Sequence, residues 1–173
     1  MNVVNKFGFM MVAGMFSGAV LAAGTHNGGH EHHQMNHNGG HHSSMMTMNS
    51  PVGGPGKESE VNKVIEVITL DTMRYQFKTE PDIKAGDVVK FVVTNQGKIT
   101  HELSIGDEKE QHAHREMMKK MPDMQHEDGS TISVKPGETE TLIWKFAGDG
   151  EALFACNIPG HYEAGMSYKA QIK

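Results

Sequence analysis

The stretch "FACNIPGHYEAGM", residues 154–166, holds the single cysteine of the chain, Cys156, with His161 and Met166 following at equal intervals of five. A thiolate is a soft metal ligand, an imidazole a borderline one and a thioether a soft, weak one. Three such groups on one loop amount to most of a metal site, lacking one further imidazole. His101, in the strand-like run "ITHELSI" (99–105), is the candidate. The bland alternative is a core histidine, a buried thiol and a core methionine, which would leave both the spacing and the solitary cysteine without a reason.

Around this loop the chain reads as strands. "KVIEVITL" (63–70), "YQF" (75–77), "DVVKFVVTN" (87–95) and "ITHELSI" are β-branched runs separated by the turn signals "KAGD" and "NQGK". "STISVKPGETETLIWKFAGDGEALFAC" adds three more, broken by "KPGE" and "AGDG", and "MSYKAQIK" supplies the last. Seven to eight short strands at this spacing predict an all-β fold, a sandwich over residues 60–173. Such a sandwich can bring the strand end at His101 beside the loop between its last two strands. One segment breaks the pattern. "DEKEQHAHREMMKKMPDMQHEDG", between Gly106 and Gly129, lacks β-branched residues in its first half and predicts a short helix stopped by Pro122.

The N-terminal third is of another kind. Residues 1–23 pair Lys6 with an apolar run from Phe7 to Leu21 and the small residues Ala22 and Ala23, which predicts a cleaved signal peptide. The run is shorter than the roughly 20 residues that span a bilayer, so no stable membrane insertion is expected after cleavage. Residues 24–59 lack apolar periodicity and predict a disordered segment with His26, His30, His32, His33, His37, His41 and His42, and with Met35, Met45, Met46 and Met48. An affinity tag would also be His-rich, but these histidines are interspersed. The expectation is weak, adaptable binding of extra copper or zinc. Loss of Lys6 takes the formal charge from −5 to −6, which gives no electrostatic case for nucleic acid or anionic lipid as a partner. A secreted chain with one cysteine has no intramolecular disulfide, and metal ligation accounts for that thiol better than a spectator role.

Two imidazoles, a thiolate and a longer-range thioether are the ligands of mononuclear copper electron-transfer proteins. The region from about residue 60 to 173 resembles the cupredoxin family, and "CNIPGHYEAGM" is similar to azurin-like and auracyanin-like ligand loops, including the Pro-Gly before the histidine. The resemblance implies a cupredoxin-like Greek-key β-sandwich with a type 1 copper site at His101, Cys156, His161 and Met166. It implies Cys156 as the dominant donor, His101 and His161 in plane with it, and Met166 as the weak axial ligand. It further implies N–H donors to the sulfur from Glu102 and Ile158, Pro159 having none, and an electron exit past Pro159, Gly160, Ala164 and Gly165. In many electron-carrying members asparagine follows the first histidine and ties the ligand loops together; here Glu102 stands there. With the helical insertion and the His-rich segment, the chain looks more like the periplasmic cupredoxins of bacterial copper tolerance.

His112, His114, Met117, Met118, Met121, Met124 and His126 cluster in the insertion. Met117, Met121 and Met124 fall at helical spacing, which reads as a stripe packed on the sandwich. Thioethers also bind Cu(I), and both readings stay open. For function, copper tolerance by sequestration or by electron transfer to an unidentified redox partner protein leads. The alternative is a dedicated electron shuttle between respiratory components, which has no evident need of the His-rich segment. An enzyme is not expected. Multicopper oxidases need several His-x-His pairs, of which only "HAH" (112–114) occurs in residues 60–173, and a dinuclear copper site needs a second cysteine.

Overall fold

The computed structural model describes residues 50–122, 124 and 129–173. The expected signal peptide, most of the His/Met-rich segment and His126 lie outside the described residues. Among the described residues, nine strands form two sheets. The five-stranded sheet runs β1-β7-β4-β2-β3, with β1 Gly53–Pro55, β2 Lys63–Leu70, β3 Arg74–Phe77, β4 Val88–Asn95 and β7 Thr139–Phe146. The four-stranded sheet runs β6-β5-β8-β9, with β5 His101–Gly106, β6 Thr131–Val134, β8 Glu151–Ala155 and β9 Ser167–Gln171. Pairing is antiparallel except between β2 and β4. The architecture is the expected cupredoxin-like β-sandwich with one helix, α1 Glu108–Lys120.

Period-two alternation sets which side chains face inward. Ile65 and Val67 from β2, Val89, Phe91 and Val93 from β4, and Leu142, Trp144 and Phe146 from β7 meet Leu103, Ile105, Ala152 and Phe154 from the other sheet. Phe91, Phe146 and Phe154 pack edge-on or tilted at its centre, the Phe91–Phe154 rings 5.4 Å apart. Strand β5 is buried along its whole length. Its Leu103 and Ile105 enter the core, while Ser104 faces α1.

One boundary moves. Residues 50–59, expected to be part of the disordered segment, belong in part to the sandwich. Val52 is buried, β1 pairs with β7 with Gly53 opposite Phe146, and Trp144 Nε1 donates to the Val52 carbonyl at 3.2 Å. Gly53 has φ +126°, and a Cβ there would lie 2.0 Å from the Lys145 oxygen, so the glycine that reads as a loop former permits the close approach. An edge strand held by backbone pairing needs almost no apolar side chains, and Pro55 is tolerated there. Composition therefore hides it, and the strand count is nine where seven to eight are expected.

Candidate metal centre

Cys156 follows directly on β8, where the chain leaves the sheet, and its side chain is fully buried. His101 opens β5, and β8 pairs with β5 from Ser104 opposite Ala155, which sets the histidine's strand end beside the thiol. His161 and Met166 come from the loop between β8 and β9. That loop is closed on itself: Met166 N–H donates to the His161 carbonyl at 3.0 Å, and Cys156 N–H to the Met166 carbonyl at 3.1 Å. His161 N–H donates to the Ile158 carbonyl at 3.0 Å, with Gly160 at φ +88° turning the chain.

One ligand atom each of His101, Cys156 and His161 lie within 4.8 Å of one another. His161 Nδ1 is 3.2 Å from Cys156 Sγ. The His101 ring has Nε2 at 3.2 Å from Asp71 Oδ1, while its Nδ1 is buried without a hydrogen-bond partner among the described residues. A buried ring nitrogen with no partner is costly unless something else satisfies it. Met166 is fully buried at the end of the same loop.

The sulfur accepts from Glu102 N–H at 3.3 Å and from Ile158 N–H. Burial nevertheless pushes the Cys156 thiol up to about 12, the Glu102 charge adding to it and the two N–H donors working against it. Burial, then the neighbouring His101, holds His161 below the usual histidine value, which favours the neutral, ligating imidazole.

The profile described as "Copper binding proteins, plastocyanin/azurin family" matches residues 62–173. The chain belongs to this family. The cupredoxin is 54% identical over 117 residues to the copper-resistant cuproprotein CopI of Vibrio cholerae, covering 68% of this chain and 69% of that one. It is 38% identical over 125 residues to the CopI of Rubrivivax gelatinosus, with 72% and 75% covered. Among solved structures, auracyanin B superposes with a TM-score of 0.56 at 19% identity, over 73% of this chain and 99% of that one, a likeness of fold. Copper is the family's metal, and the donor set fits it: one buried thiol and two imidazoles suit a copper that cycles between Cu(II) and Cu(I).

The cupredoxin also shows contacts that sequence reasoning missed. Helix α1 opens with a capping box, Glu110 N–H to Asp107 Oδ1 at 2.7 Å and Asp107 N–H to Glu110 Oε2 at 2.8 Å. Its inner face carries Gln111, His114, Arg115 and Met118. Asn157 Nδ2 donates to Gln111 Oε1 at 2.7 Å and lies 3.0 Å from His114 Nδ1, while the Arg115 guanidinium lies 3.6 Å from the Tyr162 ring centre. The helix thus grips the residue after Cys156 and the residue after His161. Glu102, where an asparagine tie was missing, has its carbonyl bonded by Tyr75 OH at 2.6 Å and Oε1 by Ser133 at 3.4 Å.

The expected packing stripe is corrected. Met118 packs, whereas Met121 and Met124 are exposed, Met117 is half-buried and His112 is exposed. The helix docks on Ser104 of β5 through polar side chains, so its buried face does not follow the methionine periodicity. Of the expected exit patch, Pro159, Gly160 and Ala164 are exposed, and Gly165 is half-buried with Arg74 against it.

Proposed function

We propose that the chain is a periplasmic copper-tolerance protein whose one type 1 copper is held by Cys156, His101, His161 and Met166. The observation that carries the reading is the convergence of one ligand atom each of Cys156, His161 and His101, together with a buried His101 Nδ1 that has no hydrogen-bond partner among the described residues. The names of the CopI relatives support tolerance as the setting. Bound copper would supply a one-electron couple. The protein's own part is to hold the thiol in a dry pocket, present two neutral imidazoles and cap the sulfur with two N–H donors. His161, half-buried beside exposed Pro159 and Gly160, is the route to an acceptor protein. Sequestration would add further weakly held copper on the histidines and methionines of residues 24–49 and on the exposed thioethers of Met121 and Met124, which follow α1. The leading signal-like segment supports secretion, and no helix among the described residues is long and apolar enough to cross a membrane.

The test pairs chemistry with physiology. Cys156→Ser replaces the thiolate by a harder oxygen, so the Cu(II) protein loses its intense visible absorption, and cells carrying only this variant grow less well over a copper series. A variant that keeps its colour sinks the site. Respiration that falls without added copper in a deletion strain, with copper tolerance unchanged, would favour the shuttle reading instead.

A further inference from the structure

We propose that Asp71 is a positioning residue of the copper site, holding His101 through Nε2 and lowering the reduction potential; this rests on His101 being a ligand. An imidazole that ligates through Nδ1 carries its proton on Nε2, and here that nitrogen lies 3.2 Å from Asp71 Oδ1. A carboxylate accepting from a ligating histidine fixes its tautomer and ring orientation and strengthens it as a donor. Stronger donation and a nearby negative charge both favour Cu(II) over Cu(I). The effect opposes that of the N–H groups on Cys156 Sγ, which withdraw charge from the sulfur.

The carboxylate is built into its place. Asp71 sits in the tight turn between β2 and β3, where Met73 N–H donates to the Leu70 carbonyl at 3.0 Å. Its two oxygens accept from Lys98 N–H at 3.0 and 2.8 Å. Lys98 belongs to the turn just before β5, and that turn is itself pinned. Asn95 is buried; its Oδ1 accepts from Gly97 N–H at 2.8 Å, and its Nδ2 donates to the Ile99 and Val134 carbonyls at 2.7 and 2.9 Å. A Cβ on Gly97 would lie 2.0 Å from Asp71 Oδ1, so only glycine leaves the carboxylate its room. Two loops from different parts of the sheet thus converge on the outer nitrogen of one ligand. The Asp71 side chain is 39% exposed, so its charge is partly screened while the hydrogen bond to the fully buried ring is not.

The experiment measures the potential and the Cu(II) electron-spin spectrum of the full mature chain and of Asp71→Asn, Gly97→Ala and His101→Gly. Asp71→Asn keeps a type 1 spectrum and raises the potential, the ratio of Cu(II) to Cu(I) affinity falling about tenfold, or about 59 mV for a one-electron couple. Gly97→Ala, which displaces the carboxylate without removing its charge, moves the potential in the same direction and carries the test should Asp71→Asn not fold. Melting of the metal-free proteins separates this from lost stability. An unchanged potential in Asp71→Asn, with the spectrum abolished in His101→Gly, overturns the proposal alone. An unchanged spectrum in His101→Gly overturns the ligand assignment beneath it. A rise in Asp71→Asn that vanishes in about 0.5 M salt is a screened surface charge, and it too overturns the hydrogen-bond role.

Discussion

Met166 is placed by backbone, its N–H on the His161 carbonyl and its carbonyl under the Cys156 N–H, and its side chain is fully buried. Met166→Leu should retain copper and raise the reduction potential, because loss of the proposed thioether donor would disfavour Cu(II) more than Cu(I). Potentiometry decides it, and an unchanged potential and spectrum would remove Met166 from the axial position. Cys156 makes a second prediction. A thiol pushed up to about 12 is protonated in the metal-free protein near neutrality, but a copper ligand must be thiolate. His161, held below the usual histidine value, is already neutral at pH 8. Copper uptake at pH 8 should thus release about one proton per ion from Cys156. A weakly buffered dye assay that finds none would mean that the thiol is not the donor. That Cys156 and His161 lie together was legible in the sequence because their spacing within one loop already brings them close. Asp71 was not, since its contact with His101 crosses between two turns and an aspartate in a turn is ordinary.

At the scale of the element, α1 serves as a brace on the ligand loop. Gln111 bonds Asn157 through Oε1 while its Nε2 donates to Ser104 Oγ and the Leu153 carbonyl, both at 3.2 Å. Gln111→Leu fits the volume but leaves Asn157 Nδ2 with His114 alone and takes the Gln111 donor from the Leu153 carbonyl, at a cost of about 1–3 kcal/mol for a buried group left unsatisfied. The metal-free protein should melt lower, and the Cu(II) spectrum should shift because the residue beside Cys156 is released. Met121→Leu, at the exposed residue that follows the helix, should change neither. A Gln111→Leu protein with an unaltered spectrum would reduce α1 to a bystander. The helix itself was legible from its composition and Pro122. Its orientation was not, because a polar buried face gives no hydrophobic period and the methionine stripe points the wrong way.

For the whole molecule, the question is where the folded unit starts and what the residues before it add. Removing residues 24–49 takes away all seven N-terminal histidines and four methionines but leaves Ser50, which donates to Glu110 Oε2 at 2.7 Å, and the buried Val52. A mature chain beginning at Ser50 should therefore keep its melting temperature and visible spectrum while its copper stoichiometry falls to about one. A chain beginning at residue 60 also loses β1 and the partner of Trp144 Nε1. Exposing the Val52 site alone costs about 1.5–3 kcal/mol, so this second protein should melt several degrees lower. Imidazoles bind metal when neutral, so the extra copper proposed for a chain beginning at residue 24 should dissociate as pH falls below about 6.5, before the ion proposed at Cys156 does. Copper titration and thermal melting of the three proteins, with survival of cells making each, separate the contributions. Equal stoichiometry in the full chain and the chain from Ser50 would end the case for sequestration by residues 24–49. Equal survival with lower stoichiometry would place protection in the cupredoxin domain alone.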